Sequence, residues 1–190
     1  TCGGFFITYR RCSKMQIKQL NKSAYAGRKF TARYFTDGYY DIRQTESGFN
    51  IAYTPFEKTL EKSLDYEFFE EWLEDPVAFG AFDGENLLGF VEGSVDEWNN
   101  RFRISNICVF DELRRGEGIG NALIETIIET AKSSGARMAV LETQTCNERA
   151  IAFYKKHGFS LIGFDLYSYS NDDPKRCEVR IEMGKKLIAR

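Results

Sequence analysis

The chain has 190 residues, of which 43% are hydrophobic and 28% are charged, and its formal net charge at pH 7 is −2. This length and apolar content predict one domain with a sizeable core. The nearly balanced charge gives no indication of nucleic-acid binding. No apolar run approaches the roughly 18 residues of a membrane-spanning helix, so no membrane partner is expected.

The first 14 residues differ in character from the rest, and the stretch beginning at Met15 reads as a natural start. We expect residues 1–14 to be an N-terminal extension or an artificial remnant and residues 15–190 to form the single domain. The lack of a signal-peptide pattern and five cysteines without a CxxC pair predict a cytoplasmic protein with reduced thiols. The single histidine, His157, argues against a histidine metal site, so no metal is expected, and His157 is interpreted as a helix-end residue.

The first half of the chain predicts two hairpins and one helix. Alternating side chains over residues 29–42, interrupted by Asp37 and Gly38, predict a β-hairpin that turns at this pair. Large apolar residues recur at three- and four-residue steps over 56–74, which predicts an amphipathic helix ended by Asp75-Pro76, with an acidic outer face. Residues 77–82 and 86–95 predict a second hairpin around Asp83-Gly84.

The second half predicts a strand at 102–110, a glycine-rich turn, and a helix around residues 123–131 that closes near Gly135. A strand at 137–143, a helix at 147–157 and two final strands at 159–169 and 177–184 follow. Hairpins on both sides of one strand-helix-strand crossover predict an α/β fold with a mixed sheet flanked by helices.

Acidic residues are concentrated between Glu57 and Glu97, where thirteen of them face two basic residues, a local charge of −11. A solvated helix face would account for most of these carboxylates. Alternatively, some of them line a cleft that attracts a polycationic substrate.

A phosphate-binding loop is indicated by Gly116, Gly118 and Gly120, which follow the 102–110 strand and open the next helix. Three alternating glycines let backbone N–H groups approach an anion, and the helix adds the positive end of its dipole. Arg114 and Arg115 supply charge-assisted hydrogen-bond donors. We therefore expect an anionic, phosphorylated ligand.

Two familiar phosphate loops fit this segment poorly. A Walker loop needs a Lys after the last glycine, and a dinucleotide fingerprint needs a glycine where Asn121 stands. Glu142 lies near the distance expected of a ribose-binding acid, so dinucleotide binding stays as a minor alternative.

Two motifs in the right order resemble the acetyl-CoA site of the GNAT (GCN5-related) N-acetyltransferases. The first, R-x-x-G-x-G, covers residues 115–120. The second, N-x-x-A-x-x-F-Y-x-x-x-G-F, covers residues 147–159. Within that family, LETQ at 141–144, the Trp98-Asn99 pair and GFDLYSY at 163–169 are most similar to streptothricin acetyltransferases, over about residues 25–170.

This resemblance implies the GNAT fold, a mixed, mostly antiparallel, twisted sheet flanked by helices. Its two neighbouring parallel strands, here 103–110 and 137–143, would splay apart to admit the pantetheine arm of the cosubstrate acetyl-CoA. A backbone N–H of the first strand would polarise the thioester carbonyl. The implied acetyl-CoA contacts are Ile107, Cys108, Val109, Arg114, Arg115, Gly116, Glu117, Gly118, Ile119, Gly120, Asn121, Asn147, Ala150, Phe153 and Tyr154.

Acetyl transfer requires a neutral amine. A lysine-like amine with a pKa of about 10.4 loses its proton at pH 7 at a cost of roughly 4–5 kcal/mol, which a nearby carboxylate can reduce. Streptothricin acetyltransferases carry acids in the strand before the glycine loop, where this chain has Ser105 and Asn106. Glu92 and Glu142 are the remaining candidates, and Glu142 has the alternative of a structural ion pair.

The resemblance assigns Tyr154 as the general acid that protonates the CoA thiolate, with packing beside Phe153 as the alternative. Asn147 would contact the pantetheine arm, cap the following helix, or do both. Direct transfer in the family, and the lack of a base partner, argue against a Cys108 acyl-enzyme.

The predicted function is N-acetylation of a primary amine on a small cationic molecule, with streptothricin, and hence antibiotic resistance, as the named candidate. A protein or polyamine acetyltransferase and a non-catalytic acyl-CoA-binding module are the alternatives. The final strand carries Arg180 and Glu182 where streptothricin acetyltransferases are aromatic, so a different acceptor pocket is expected. We expect a monomer or a homodimer.

Overall fold

A computed structural model describes residues 15–110 and 116–187. Seven strands form one sheet in the order β1-β4-β5-β6-β7-β9-β8, and β2 and β3 form a separate two-stranded hairpin. The elements are β1 (Gln16–Gln19), α1 (Lys22–Tyr25), β2 (Lys29–Thr45), β3 (Gly48–Glu67), β4 (Val77–Asp83), β5 (Asn86–Asp96), β6 (Arg101–Val109), α2 (Ile119–Ser133), β7 (Met138–Gln144), α3 (Glu148–Lys156), β8 (Ser160–Asp165), α4 (Asp173–Arg176) and β9 (Arg180–Lys186). The predicted mixed sheet with flanking helices is confirmed.

The second half of the chain follows its sequence pattern closely. Helix α2 buries an apolar face against the sheet, and Gly135, with φ +76°, lies just beyond its end. The large buried side chains on this face of α2 are Leu123, Ile124, Ile127 and Ile128. The predicted 83–84 hairpin, both crossover strands and α3 are also present. The short elements β1, α1 and α4 were not indicated by periodicity.

The predicted helix over residues 56–74 is wrong, because residues 48–67 form the long strand β3. Leu60 and Leu64 are four residues apart, a spacing that fits both one face of a helix and one face of a strand. Cross-strand pairing with β2 decides between the two. The polar face of the β2–β3 hairpin carries the Arg33–Glu61 and Lys29–Glu67 ion pairs. These side chains are neighbours because residues 61–67 form a strand that pairs with β2.

The predicted turn at Asp37 and Gly38 is also wrong. Strand β2 continues through this pair to Thr45, and the chain reverses between Thr45 and Gly48. Between Thr36 and Gly38 the register shifts in a β-bulge, and the Asp37 N–H donates to Glu148 Oε1 on α3 at 2.9 Å. The Asp-Gly signal therefore marks a bulge that joins the hairpin to α3.

Strands β6 and β7 separate part way along their length. Their parallel pairing runs from Arg101–Met138 to Ile104–Leu141 and stops there, although β6 continues to Val109 and β7 to Gln144. Each strand keeps its antiparallel partner on the other side, so the opening lies between β6 and β7. The predicted splayed pair is present.

Candidate active site

Two cavities meet at the opening between β6 and β7. The first, which we call the glycine cavity, has a volume of about 540 Å³ and contains Gly116, Gly118 and Gly120 in its wall. The second, the Glu142 cavity, has a volume of about 630 Å³ and contains Glu142. Six residues line both cavities and form the junction between them: Leu64, Tyr66, Ile107, Asn147, Ala150 and Tyr154.

The wall of the glycine cavity contains backbone conformations that glycine adopts readily. Gly116 and Gly118 have φ values of +92° and +84°, a left-handed region that other residues rarely adopt. Gly118 is the N-cap of α2 and, having no side chain, makes no cap bond to the first amides of α2. A Cβ on Gly120 would lie 3.5 Å from the Phe153 ring, so the lack of a side chain there keeps the wall open.

Charge also distinguishes the glycine cavity. Its charged lining residues are Arg33, Arg149 and Lys156, and none of the described residues in its wall is Asp or Glu. Positive side chains and uncapped helix N–H groups suit a phosphate-bearing ligand. The residues present therefore fit the phosphates of CoA.

Twelve of the fifteen residues predicted to contact acetyl-CoA line the glycine cavity: Ile107, Cys108, Val109, Gly116, Gly118, Ile119, Gly120, Asn121, Asn147, Ala150, Phe153 and Tyr154. Glu117 is exposed and does not line it. Arg114 and Arg115 lie outside the described residues.

Helix α3 presents the second motif to the junction. The Asn147 side chain accepts a hydrogen bond from the Ala150 N–H at 3.3 Å, so the predicted N-cap is present, and Asn147 lines both cavities as well. At the other end, His157 is the C-cap, as predicted, and one of its ring nitrogens lies 3.0 Å from Asn121 Oδ1.

Tyr154 is buried at the junction, with 7% of its surface exposed. Its ring packs against Phe153 and Phe159, with centroid distances of 5.6 and 6.1 Å. Among the described residues its hydroxyl has no hydrogen-bond partner, and burial raises the pKa of Tyr154 above its ordinary value. The phenol is therefore protonated at neutral pH and has its proton available for a ligand.

Glu142 is the one carboxylate among the described residues that line the Glu142 cavity, and its side chain is 41% exposed. Arg180 Nε donates to its Oε2 at 2.8 Å, and the Tyr169 hydroxyl lies 3.5 Å from its Oε1. Glu142 therefore forms the ion pair that the sequence analysis gave as an alternative, and it also lines the cavity. The 3.5 Å contact between the Tyr169 hydroxyl and Oε1 is long for a hydrogen bond, so Oε1 is the oxygen of Glu142 that is available to an amine.

Glu92, the other candidate base, lines neither cavity and is fully buried. Its carboxylate accepts the Phe69 N–H at 2.8 Å and the Asn106 side-chain amide at 3.0 Å. Burial raises the pKa of Glu92, and these two hydrogen bonds oppose that shift. These contacts are those of an internal structural carboxylate, and the role of Glu92 as a base stays a prediction.

Ser105 and Asn106 stand at the positions where acids were expected from the resemblance. Both line the Glu142 cavity. The Asn106 amide is used by Glu92, whereas Ser105 Oγ is buried and has no hydrogen-bond partner within the described chain. Neither side chain can accept a proton from an ammonium group near pH 7.

Sequence reasoning missed the contribution of the β2–β3 hairpin. For the last strand it predicted a changed acceptor pocket but did not place Arg180 beside Glu142. The hairpin adds Leu64 and Tyr66 to the junction, and β9 adds Arg180 to the Glu142 cavity. Residues of β3 were assigned to a helix, so their proximity to α3 could not be inferred. Arg149 and Lys156 are seven residues apart and therefore lie on one face of α3. This pair of cations was the sequence signal that could have indicated a positively charged wall of the glycine cavity.

The acidic segment between Glu57 and Glu97 contributes no residue with a carboxylate to the glycine cavity or the Glu142 cavity. Several of its acids pair across the hairpin, as Glu61 and Glu67 do. A further cavity, which we call the outer cavity, is lined by Glu74, Asp96 and Glu97 and shares Trp72 and Arg103 with the Glu142 cavity. Any attraction of a cation by this segment would act from there.

Within residues 15–110 and 116–187, no group of three or more His, Cys, Asp or Glu side chains is arranged to hold a metal ion. None of the helices described is long and apolar enough to cross a membrane.

Known proteins match this chain over most of its length. A streptothricin acetyltransferase from Escherichia coli is 33% identical over 133 residues, which cover 68% of this chain and 72% of that protein. The crystal structure of nourseothricin acetyltransferase superposes with a TM-score of 0.74 and 27% identity, covering 92% of this chain and 99% of that one.

A Bacillus anthracis str. Ames protein solved in complex with acetyl coenzyme A shares the fold, with a TM-score of 0.73 and 23% identity over 93% of this chain and 99% of that one. Residues 45–159 match the acetyltransferase (GNAT) family, a span that includes both cavity-forming motifs. The chain therefore belongs to the acetyltransferase (GNAT) family and is an acetyl-CoA-dependent acetyltransferase.

Proposed function

We propose that this enzyme transfers the acetyl group of acetyl-CoA to a primary amine of a small cationic molecule, and that streptothricin is the first acceptor to test. The observation that carries the proposal is the junction, where a cavity suited to phosphates meets a cavity whose described lining includes the Glu142 carboxylate and the buried Tyr154 phenol. The streptothricin and nourseothricin acetyltransferases among the relatives support the choice of acceptor.

In this proposal the glycine cavity holds the CoA portion. Backbone amides at the start of α2 bind phosphate oxygens, and Arg149 and Lys156 add positive charge. The opening between β6 and β7 accepts the pantetheine arm, because backbone groups beyond Ile104 and Leu141 no longer pair with each other. Acetyl-CoA supplies the thioester whose carbonyl carbon reacts.

Glu142 receives the acceptor amine. Its Oε2 is held by Arg180, which leaves Oε1 to bind the ammonium group and to take its proton directly or through water. Glu142 is better placed than Glu92, whose two oxygens are already bonded inside the protein. When the N–C bond has formed and the C–S bond breaks, Tyr154 donates its proton to the departing thiolate.

An acceptor panel tests this function. Free-thiol release from acetyl-CoA would be followed with streptothricin, spermidine, a basic peptide with a free amine, and a neutral amine, and each product would be checked by mass spectrometry. We expect the fastest turnover with streptothricin. Acetylation of the peptide or spermidine alone would refute the named acceptor, and acetyl-CoA binding without acetylation of any amine would favour a non-catalytic module.

A further inference from the structure

The junction contains two phenols, although the two motifs account for one of them. Of its six residues, Leu64, Ile107 and Ala150 have aliphatic side chains. The Asn147 side-chain oxygen accepts a hydrogen bond from the Ala150 N–H in the first turn of α3. This leaves Tyr154 from α3 and Tyr66 from β3 as the two residues that place a hydroxyl group at the junction, where acetyl-CoA and the amine would meet.

Tyr66 is held in place by aromatic packing and by backbone pairing. Its ring stacks on Phe30, with centroids 5.1 Å apart and an interplanar angle of 13°. Phe30 is its cross-strand partner and packs edge-on against Phe90 and Phe110, at 5.0 and 5.2 Å. The ring is therefore fixed by the core rather than by its hydroxyl.

The Tyr66 hydroxyl has no hydrogen-bond partner among the residues described, although the side chain is only partly exposed. Burial raises the pKa of Tyr66, and Cys108 and Tyr169 shift it in the same direction. A phenol in this state keeps its proton at neutral pH and acts as a donor rather than as a base.

We propose that Tyr66 is a second catalytic phenol, whose hydroxyl donates a hydrogen bond to the thioester carbonyl oxygen while Tyr154 protonates the leaving thiolate. This inference rests on the proposed acetyl transfer. The acceptor nitrogen bonds to the carbonyl carbon, negative charge grows on the carbonyl oxygen, and Tyr66 stabilises it without losing its proton. The carbonyl re-forms as the C–S bond breaks, and the electron pair leaves with the sulfur, which takes the Tyr154 proton. The proton released by the new amide nitrogen then returns Tyr154 to its neutral form, directly or through water.

Two separate donors suit this reaction because charge develops on two atoms. A single phenol that protonates the sulfur cannot also remain bonded to the carbonyl oxygen. Removing one hydrogen-bond donor from an oxyanion site commonly lowers kcat by about 10²–10³. Tyr66 would add to the backbone N–H expected from β6, so a loss near the lower end of this range is expected.

Three matched variants test the assignment: Tyr66→Phe, Tyr154→Phe and, as control, Tyr53→Phe. Tyr53 is also on β3, but it lies outside both cavities and donates to Glu148 Oε2 at 2.7 Å. We expect Tyr66→Phe to lower kcat by about 100-fold while its Kd for acetyl-CoA stays within about threefold of the wild type. Tyr53→Phe should leave kcat unchanged.

Infrared spectroscopy separates the two phenols without turnover. Acetyl-CoA labelled with ¹³C at the carbonyl would be bound in the absence of an acceptor, and its carbonyl stretch compared with that in solution. The stretch should be lowered in the wild type, in Tyr154→Phe and in Tyr53→Phe, and should return toward the solution value in Tyr66→Phe. An unchanged stretch in Tyr66→Phe would overturn the inference.

The two proposals fail in different ways. If the wild type acetylates no amine, the proposed function is refuted, while the infrared comparison still decides whether Tyr66 contacts the carbonyl. If the wild type is active and Tyr66→Phe has full kcat with the same carbonyl stretch, Tyr66 is only a packing residue and the proposed function stands.

Discussion

The glycine cavity and the Glu142 cavity differ in how they are built. The first presents glycines and backbone groups from one stretch of chain at the start of α2, and the charged side chains among its described lining residues, which come from β2 and α3, are all positive. The second uses side chains from strands that are distant in sequence, with Glu142 paired to Arg180. Substitutions at side chains that line only the second cavity, such as Glu142 and Arg180, are therefore expected to change the acceptor without altering the cosubstrate site.

The largest expected effect concerns the glycine cavity. Gly118→Asp puts bulk and negative charge beside the phosphate site, so acetyl-CoA affinity should fall by at least about 100-fold. Acetyl-CoA at 100 times its wild-type Kd should raise the free energy of unfolding of the wild type by about 2.7 kcal/mol, and the same concentration should raise that of the variant by no more than about 0.4 kcal/mol. Thermal unfolding and calorimetry would measure both.

Gly135→Asp is the matched control for that variant. Gly118 and Gly135 have φ values of +84° and +76°, and at both positions a Cβ would meet nothing within 4 Å, but only Gly118 lines the glycine cavity. Both variants should lose about 1–2 kcal/mol of stability from the left-handed backbone. Equal acetyl-CoA affinities in the two variants would contradict the phosphate site.

The next effect is at the junction. Tyr154→Phe should lower kcat by at least about tenfold and leave the Kd for acetyl-CoA unchanged, because only the proton donor is lost. Burial raises the pKa of Tyr154 above 10.0, so the phenol keeps its proton as the pH rises toward 10. At any pH below about 10, deprotonation of Tyr154 should therefore not reduce the kcat of the wild type. If kcat is limited by the chemical step and Tyr154→Phe has the kcat of the wild type, Tyr154 is a packing residue. Tyr167→Phe is the control, because Tyr167 is exposed.

A smaller effect is expected in the Glu142 cavity. Glu142→Gln should lower kcat/KM for the amine by about tenfold at most while sparing acetyl-CoA binding, because water can replace part of the base role. The control is Glu67→Gln, whose carboxylate forms a similarly exposed ion pair, with Lys29, outside both cavities. Equal losses in both variants would indicate a general effect of charge.

The smallest kinetic effect should come from Glu92, which lies outside both cavities. Glu92→Gln should leave kcat/KM within about twofold but change the pH dependence of stability. The folded-state pKa of Glu92 is raised from 4.5, so its contribution to stability is complete below that value and is lost as pH rises through the folded pKa. The wild type should therefore lose stability relative to the Gln variant on going from pH 4.5 toward neutral pH, as measured by denaturant unfolding. A large kinetic loss would restore Glu92 as a base.

The crossover and the hairpin show why prediction succeeded in one place and failed in another. From β6 to α3, each element has an unambiguous period and the glycines and Asn147 act on residues within a few positions, so local patterns sufficed. In β3, the Leu60–Leu64 spacing fits two structures, and pairing with β2 made the choice. The bulge at Asp37 likewise depends on Glu148, more than a hundred residues away.

The sequence by itself determined the phosphate-suited turn and the positions of Tyr154 and Asn147, because these features are carried by short motifs whose geometry is local. The resemblance that these motifs carry implied the family and its splayed strands. Only the tertiary structure decided that Glu92 is enclosed and that Arg180 holds Glu142. It alone brought Tyr66 to the junction. Burial, ion pairing and cavity lining arise from contacts between distant segments, and no periodicity in a single sequence specifies which distant segments meet.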